Sequence, residues 1–221
     1  MMAIFKDGQM SGLVGSIVRY NINGVELARS CPKKRKKQSP KQLTQQLKMK
    51  ITMQFLRGIK EVVHATYPTD SPFLNGHVQA RSSILRNAFS GDYPTLCFHP
   101  SKVELSSNPK RGIRSIKAQL EGTHLDLWVD LHPRWSSNDL SLMVIHAEGE
   151  EKIVPHRHSM LSFQEAQPLR LPLWAAPHEN VVQHFWIMLY DTFGQTYYRS
   201  CYLSLTGQNS EPKEFRYVED E

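Results

Sequence analysis

The chain has 221 residues, 40% hydrophobic and 22% charged, with a formal net charge of +6, the balance of a soluble globular protein with one large or two small domains. Its longest apolar runs, such as residues 185–190, are strand length and exclude a membrane helix, which needs about 20 residues. Cys31, Cys97 and Cys201 lie far apart in no metal-type spacing; that excludes a disulfide scaffold and a cysteine zinc site and suits a reducing, cytoplasmic setting.

Residues 1–8 lack the apolar stretch and small-residue cleavage site of a secretory signal. Gly8, Gly12 and Gly15 mark a flexible, turn-rich lead-in. Ile17, Val18, Tyr20 and Ile22 then form a β-prone run, followed by Asn23-Gly24 and a second run through Val25 and Leu27. Asn-Gly between two such runs predicts a β-hairpin, because both central residues of a type I′ turn need positive φ. A two-stranded ribbon is marginal in water, so it must lean on the next helix or on a partner chain.

Residues 29–60 hold eleven basic side chains and no acid, which leaves the rest of the chain at −5. Lys33, Lys34, Arg35, Lys36 and Lys37 are adjacent, repel one another, and need water or an anion. With Lys41 just beyond, they are candidate contacts to nucleic acid or another polyanion. Five phosphate contacts would give a log–log salt slope of about −4.5. No aromatic residue interleaves the cluster, so stacking on single strands is not supported. The competing readings are a solvated lysine-rich loop and a contact to an acidic protein surface.

Ser39 as N-cap, Pro40 at the first helical position and Gln42 closing a capping box predict a helix. Leu43, Leu47, Ile51 and Phe55 recur every four residues, and Leu56, Ile59, Val62 and Val63 continue the apolar face to just before Tyr67-Pro68. Ser71-Pro72 repeats the start signal. Leu74, Val78, Arg81, Leu85 and Phe89 give a second helix, stopped at Ser90-Gly91. Two helices and a short polar joint predict an antiparallel helical hairpin.

After Tyr93-Pro94 the period changes from helical to two. Ile116, Ala118 and Leu120, then Leu125, Leu127, Val129 and Leu131, then Phe185, Ile187 and Leu189 alternate with their neighbours. Further strands are expected within 96–105, 140–147, 152–161, 169–173 and 197–205, with a turn at 191–195 joining the last two. Seven or eight short strands over about 110 residues predict a β-sandwich of immunoglobulin or fibronectin type, although the Cys…Trp…Cys pattern of antibody domains is missing. The expected fold class is α+β. A β-hairpin plus two-helix hairpin module (1–93) precedes the all-β sandwich (94–208), and a loose charged tail (209–221) closes the chain.

Several of these segments carry a resemblance. They include Met2-Ala3-Ile4-Phe5-Lys6-Asp7-Gly8, the Gly12–Tyr20 run with Gly15 and Val18, Arg29-Ser30-Cys31-Pro32-Lys33-Lys34, and Ser39-Pro40-Lys41-Gln42 leading to Phe55-Leu56. Ser71-Pro72-Phe73, Gly91-Asp92-Tyr93-Pro94, Ser101-Lys102-Val103 and Leu105 follow, and His184-Phe185-Trp186 with Asp191, Gly194, Ser200 and Tyr202 closes the set. Together, over nearly the whole chain, they resemble a family of uncharacterised Bacteroidota proteins known as a domain of unknown function. The resemblance implies the architecture and no activity. The basic step is denser here than in that family, through Lys36 and Lys37.

Other candidate sites are weaker. His156-Arg157-His158, near His146, Glu148, Glu150 and Glu151, has an i, i+2 pair that metal sites use, but the sequence fixes no third ligand; solvent-facing histidines are the plainer reading. Ser83, Ser106 and Ser159 lack a nucleophile elbow, and Gly12-Leu13-Val14-Gly15 lacks the Lys-Ser/Thr of a phosphate loop. No cofactor or metal is expected. Trp174, Phe185, Trp186, Tyr190, Tyr197, Tyr198 and Tyr202 form an aromatic strip that is either core or a recognition surface. Phe185 and Trp186 must face opposite ways, so one lies outside the sandwich core unless both faces are covered. Tyr20, Trp186 and Tyr198 are the interface candidates. The expected role is a non-enzymatic structural or assembly protein, for instance a subunit of a phage-like particle, with a protein partner or self-association and no membrane. The alternative is a nucleic-acid-binding protein using residues 33–37, and the third reading is an enzyme with an unseen site.

Overall fold

A computed structural model describes the chain except residues 1–3, 7–8, 23–24, 32–37, 70–74, 133–139, 150–152, 154, 156, 163–167, 174–180, 207–211 and 218–221. For residues 4–6, 9–11, 22 and 157–162 it describes the backbone. The chain divides into two compact units, residues 1–39 and 40–221.

The first unit is an antiparallel meander of β1 (Ile4–Lys6), β2 (Gln9–Val14), β3 (Ile17–Ile22) and β4 (Val25–Ser30). The expected ribbon is β3–β4, with Ile22 opposite Val25; Asn23-Gly24 itself lies outside the described residues. The glycine-marked lead-in is strand as well. Gly15 sits at φ +61° in the β2–β3 turn, a conformation glycine adopts without steric cost. Register places Leu13, Val18, Tyr20, Leu27 and Val25 on one face of this sheet.

The second unit opens with α1 (Pro40–Arg57), α2 (Lys60–Thr66) and α3 (Gly76–Asn87). The first helix starts where the sequence signals place it but stops at Arg57, so the single helix expected through residue 66 is two. Gly58 explains the break. A Cβ there would lie 1.8 Å from the carbonyl oxygen of Pro155, so the backbones touch and only glycine fits. The side of α1 turned inward carries Thr44 and Thr52 beside Phe55 and Leu56. Their hydroxyls donate to the carbonyls of Pro40 (3.1 Å) and Lys48 (2.8 Å), which satisfies them inside the helix.

α3 is capped by Asn75, whose Oδ1 accepts from the Val78 amide at 3.0 Å. Residues 71–72, the expected start signal, lie outside the described residues. The buried stripe of α3 is Gly76, Ala80 and Ile84, continued by Ala88, rather than Val78, Arg81 and Leu85, which are half-buried. Close packing selects the small side chains. A Cβ on Gly76 would come within 2.7 Å of the Val63 and Tyr67 carbonyls at the end of α2.

A short pair, β5 (Phe89–Ser90) with β6 (Cys97–Phe98), and a 3-10 turn, Pro100–Lys102, lead into the strands. These are β7 (Ile113–Glu121), β8 (His124–Leu131), β9 (Leu140–Glu148), β10 (Arg157–Ser162), β11 (Leu169–Pro172), β12 (Val182–Asp191), β13 (Thr196–Tyr197), β14 (Cys201–Thr206) and β15 (Lys213–Arg216). Every pairing is antiparallel, so the class is α+β with antiparallel sheets. One sheet runs β11-β8-β7-β15; the other runs β10-β9-β12, with β13 and β14 both on β12. The expected turn after Asp191 is present. Asp191 Oδ1 accepts from the Phe193 and Gly194 amides at 3.0 and 3.1 Å.

Two cores result. Apolar side chains of both sheets, among them Ile116, Leu125, Leu127, Leu142, Val144, Phe185, Ile187 and Leu203, share the first. The other face of β9 and β12 carries Met143, Ile145, Trp186 and Met188 and packs against Phe55, Leu56, Val63 and Ile84 of the helices. Because of this second core, the expected division at residues 93/94 runs through the middle of one compact unit. The segment expected as a loose tail supplies β15, and Phe215 and Tyr217 pack on the first core.

Candidate functional site

On the side of the helices away from the sheets' core, α1, α2 and α3 line an open groove of about 680 Å³. Its lining is Lys50, Met53, Gln54 and Arg57 of α1, Lys60 and His64 of α2, and Asn75, His77, Val78 and Arg81 around the start of α3. The α1 set has i, i+3, i+4, i+7 spacing, one stripe of a helix; Lys60 and His64 are i, i+4. The break at Gly58 redirects the chain, so the α2 stripe meets the α1 stripe instead of continuing along it. Four permanent cations therefore converge with two imidazoles, and no acid is among the described residues that line the groove.

Among the described residues, Lys50, Arg57, Lys60 and Arg81 make no ion pair with a carboxylate, whereas Arg114, Arg170, Arg199 and Arg216 each do. His77 reports the resulting field. Its pKa is lowered from the ordinary imidazole value, first by burial and then by the positive charges of Arg81, His64 and Lys60.

The residues singled out from sequence separate into three groups. Lys33, Lys34, Arg35, Lys36 and Lys37 lie outside the described residues. Lys41 is exposed in the first turn of α1 and does not line the groove. Tyr20 is half-buried on the meander, with the Arg29 guanidinium 5.8 Å from its ring centre. Trp186 is fully buried: Phe55 meets it edge-on at 5.2 Å, and its indole N–H donates to the Pro100 carbonyl at 3.3 Å. Tyr198 is buried in the first core. The face behind Trp186 is thus occupied by the chain's own helices, and neither residue is a free contact surface.

The remaining candidates are tied into the fold. His184 Nε2 donates to the Gly149 carbonyl (2.8 Å), so in the neutral ring Nδ1 accepts from the Tyr202 hydroxyl (2.6 Å). His146 Nε2 donates to Gln183 Oε1 at 2.7 Å and its ring stacks on Phe185. Ser106 Oγ donates to the Tyr197 carbonyl at 3.3 Å, and Ser83 Oγ accepts from the Asn87 amide at 3.5 Å. Burial pushes the Cys201 thiol up to about 12, despite nearby Arg111 and Arg199, so it is no nucleophile. His156 and the side chains of His158 and Ser159 lie outside the described residues. Among those described, no three His, Cys, Asp or Glu side chains form a metal-type cluster.

Sequence reading counted Lys50, Arg57 and Lys60 as part of a charge run but did not single out Arg81, His64 or His77. The available signal was the cationic i, i+4 and i, i+7 spacing, which becomes a site only once the helix break is known. Searches of protein-family models, curated proteins and solved structures find no match to this chain. No described helix is long and apolar enough to cross a membrane.

Proposed function

We propose that the protein is a non-enzymatic assembly subunit in which residues 1–39 associate with a second copy of the chain. The observation that carries this reading is the exposed state of the meander. All six residues of β4 are exposed, and Val25 and Leu27 share a face with Leu13, Val18 and Tyr20, none of which is fully buried. A single-layer sheet of this size buries too little apolar surface to be stable by itself, so a second layer is needed. A second copy supplies the same face, and a two-fold axis makes an isologous pair of such faces self-complementary. A contact repeated with a rotation that does not close would instead build a larger particle.

Two further features support a binding role rather than chemistry. The candidate nucleophiles and histidines described above spend their polar atoms inside the fold. The sheet order also supports reading the two sheets as a fibronectin-type sandwich, with β7, β8 and β11 taken as A, B and E, β10, β9, β12 and β14 as C′, C, F and G, and β15 added beside A. Such sandwiches commonly serve as adaptors, an analogy of fold.

Light scattering across micromolar concentrations tests the reading. The wild-type chain is expected to form a defined oligomer, and Leu27→Glu combined with Tyr20→Ser to shift it to monomer with the main thermal transition unmoved. A wild-type chain that stays monomeric at every concentration overturns it.

A further inference from the structure

We propose that the groove between α1, α2 and α3 is a phosphate-backbone site that holds duplex nucleic acid without regard to sequence. The inference is independent of the assembly reading, because it rests on residues 50–81 and not on the meander.

The donor set is the first argument. Lys50, Arg57, Lys60 and Arg81 supply permanent charge, and Gln54 and Asn75 add neutral amides. Lysine, arginine and amide side chains, with helix N-termini, are the groups that make most protein–phosphate hydrogen bonds. The start of α3, marked by Asn75 and His77, opens on the same groove, so the positive end of a 12-residue helix adds to the field.

The second argument is spacing. Lys50 and Arg57 are two helical turns apart, about 10 Å at 1.5 Å per residue, and Lys60 and Arg81 stand on two other helices. Charges strung out in this way fit a line of phosphates better than one compact anion, which would reach only one or two of them. Among the described residues the lining has Met53 and Val78 but no Phe, Tyr or Trp. These residues offer no platform for base stacking on a single strand, so the duplex backbone is the favoured form.

The third argument is charge accounting. Residues 40–91 carry seven Lys or Arg and two acids, and the four groove cations have no carboxylate partner among the described residues. Bringing phosphates in relieves that mutual repulsion and releases the counterions condensed on the nucleic acid.

The experiment measures binding of a short mixed-sequence duplex to the full chain by fluorescence anisotropy as a function of salt. Three proteins are compared: wild type, a groove variant (K50Q, R57Q, K60Q, R81Q), and a loop variant with Lys33, Lys34, Arg35, Lys36 and Lys37 all changed to Gln. Four phosphate contacts contribute about −3.6 to the log–log slope, an affinity change of about 150-fold between roughly 50 and 200 mM salt. The groove variant is expected to lose that part of the slope with its melting temperature unchanged, since the altered side chains are exposed or half-exposed. The loop variant is expected to retain it. A groove variant that binds with wild-type slope overturns the proposal. So does competition by polyglutamate equal to that by duplex at matched charge, which would assign the groove to an acidic peptide, or by inorganic phosphate alone at low millimolar concentration, which would make it a site for a free anion. A single strand bound as tightly as the duplex overturns the duplex assignment.

Discussion

The paired sheets and the helical layer of residues 40–221 share β9 and β12, yet they handle charge in opposite ways. Around the sheets, arginines have partners. Arg170 meets Asp126 through two 2.8 Å hydrogen bonds, Arg114 lies 4.0 Å from Asp130, Arg199 pairs with Glu104, and Arg216 with Glu214 at 3.0 Å. On the helices, Lys50, Arg57, Lys60 and Arg81 converge without a carboxylate among the described residues. Exposed ion pairs contribute little to stability, so Arg114–Asp130 and Arg216–Glu214 mainly neutralise the surface, while Arg170 satisfies the buried Asp126 carboxylate. The helical cations do neither. They leave a positive field that a partner of opposite charge can use, and this is where the two layers part in role.

The sharpest way to test whether the layers are one folding unit is to cut each face of β12 in turn. Phe185 fills the core between the sheets and Trp186 fills the core under the helices; both are fully buried. Trp186→Ala and Phe185→Ala are each expected to lower stability by about 3–5 kcal/mol within a single cooperative transition, read by urea denaturation. If Trp186→Ala leaves the midpoint in place while Phe185→Ala shifts it, the helices are an appendage and the comparison between two integral layers fails.

A smaller effect is expected at the helix break. Gly58→Ala pushes a methyl group against the Pro155 carbonyl, a backbone atom that cannot swing away as a side chain would. The expected loss is about 1–3 kcal/mol, in the range of overpacking. Because the same break brings Lys60 and His64 beside the α1 stripe, the variant should also weaken duplex binding by misaligning the groove. Unchanged stability would show that α1 and α2 can relax around the new Cβ, and that the break is not what sets the groove.

Much of the strand framework was legible from alternation. β7, β8 and β12 fall where Ile116, Leu125 and Phe185 and their alternate neighbours placed them, β9 covers the range 140–147 expected as a strand, and the β3–β4 pair follows from one Asn-Gly step. The helical layer was harder to read. Gly58 looks like a tolerated glycine in a helix until the approach of Pro155 is known. The inward stripe of α3 is Gly76, Ala80 and Ala88 around Ile84, and small residues carry almost no hydrophobic signal. β15 was hidden for a related reason: three of its four residues are charged, and only Phe215 points to a sheet. The groove is least local of all. His64 and Arg81 are 17 positions apart in sequence and become neighbours of one space only through the packing of α2 on α3.

The mildest expected effect concerns the imidazole of His77. Lys50 and Arg57 of α1, Lys60 and His64 of α2 and Arg81 of its own helix line the same groove, and among the described residues no acid does. Burial, then the positive charges of Arg81, His64 and Lys60, hold its pKa below the ordinary 6.5. The unfolded chain therefore takes up a proton before the folded one as pH drops, and stability contributed at this site is present above 6.5 and lost below it. His77→Gln should flatten the pH dependence of the melting temperature between about pH 7 and 5. With duplex bound the sign reverses. Phosphates beside the ring favour the imidazolium, so binding takes up a proton and affinity should rise as pH falls through that window, and His77→Gln should reduce the rise. His184, whose two ring nitrogens are spent on Gly149 and Tyr202, is the control on the sheet side of the comparison. A pH-dependent affinity that survives His77→Gln intact would move the proton uptake elsewhere and leave His77 a spectator in the groove.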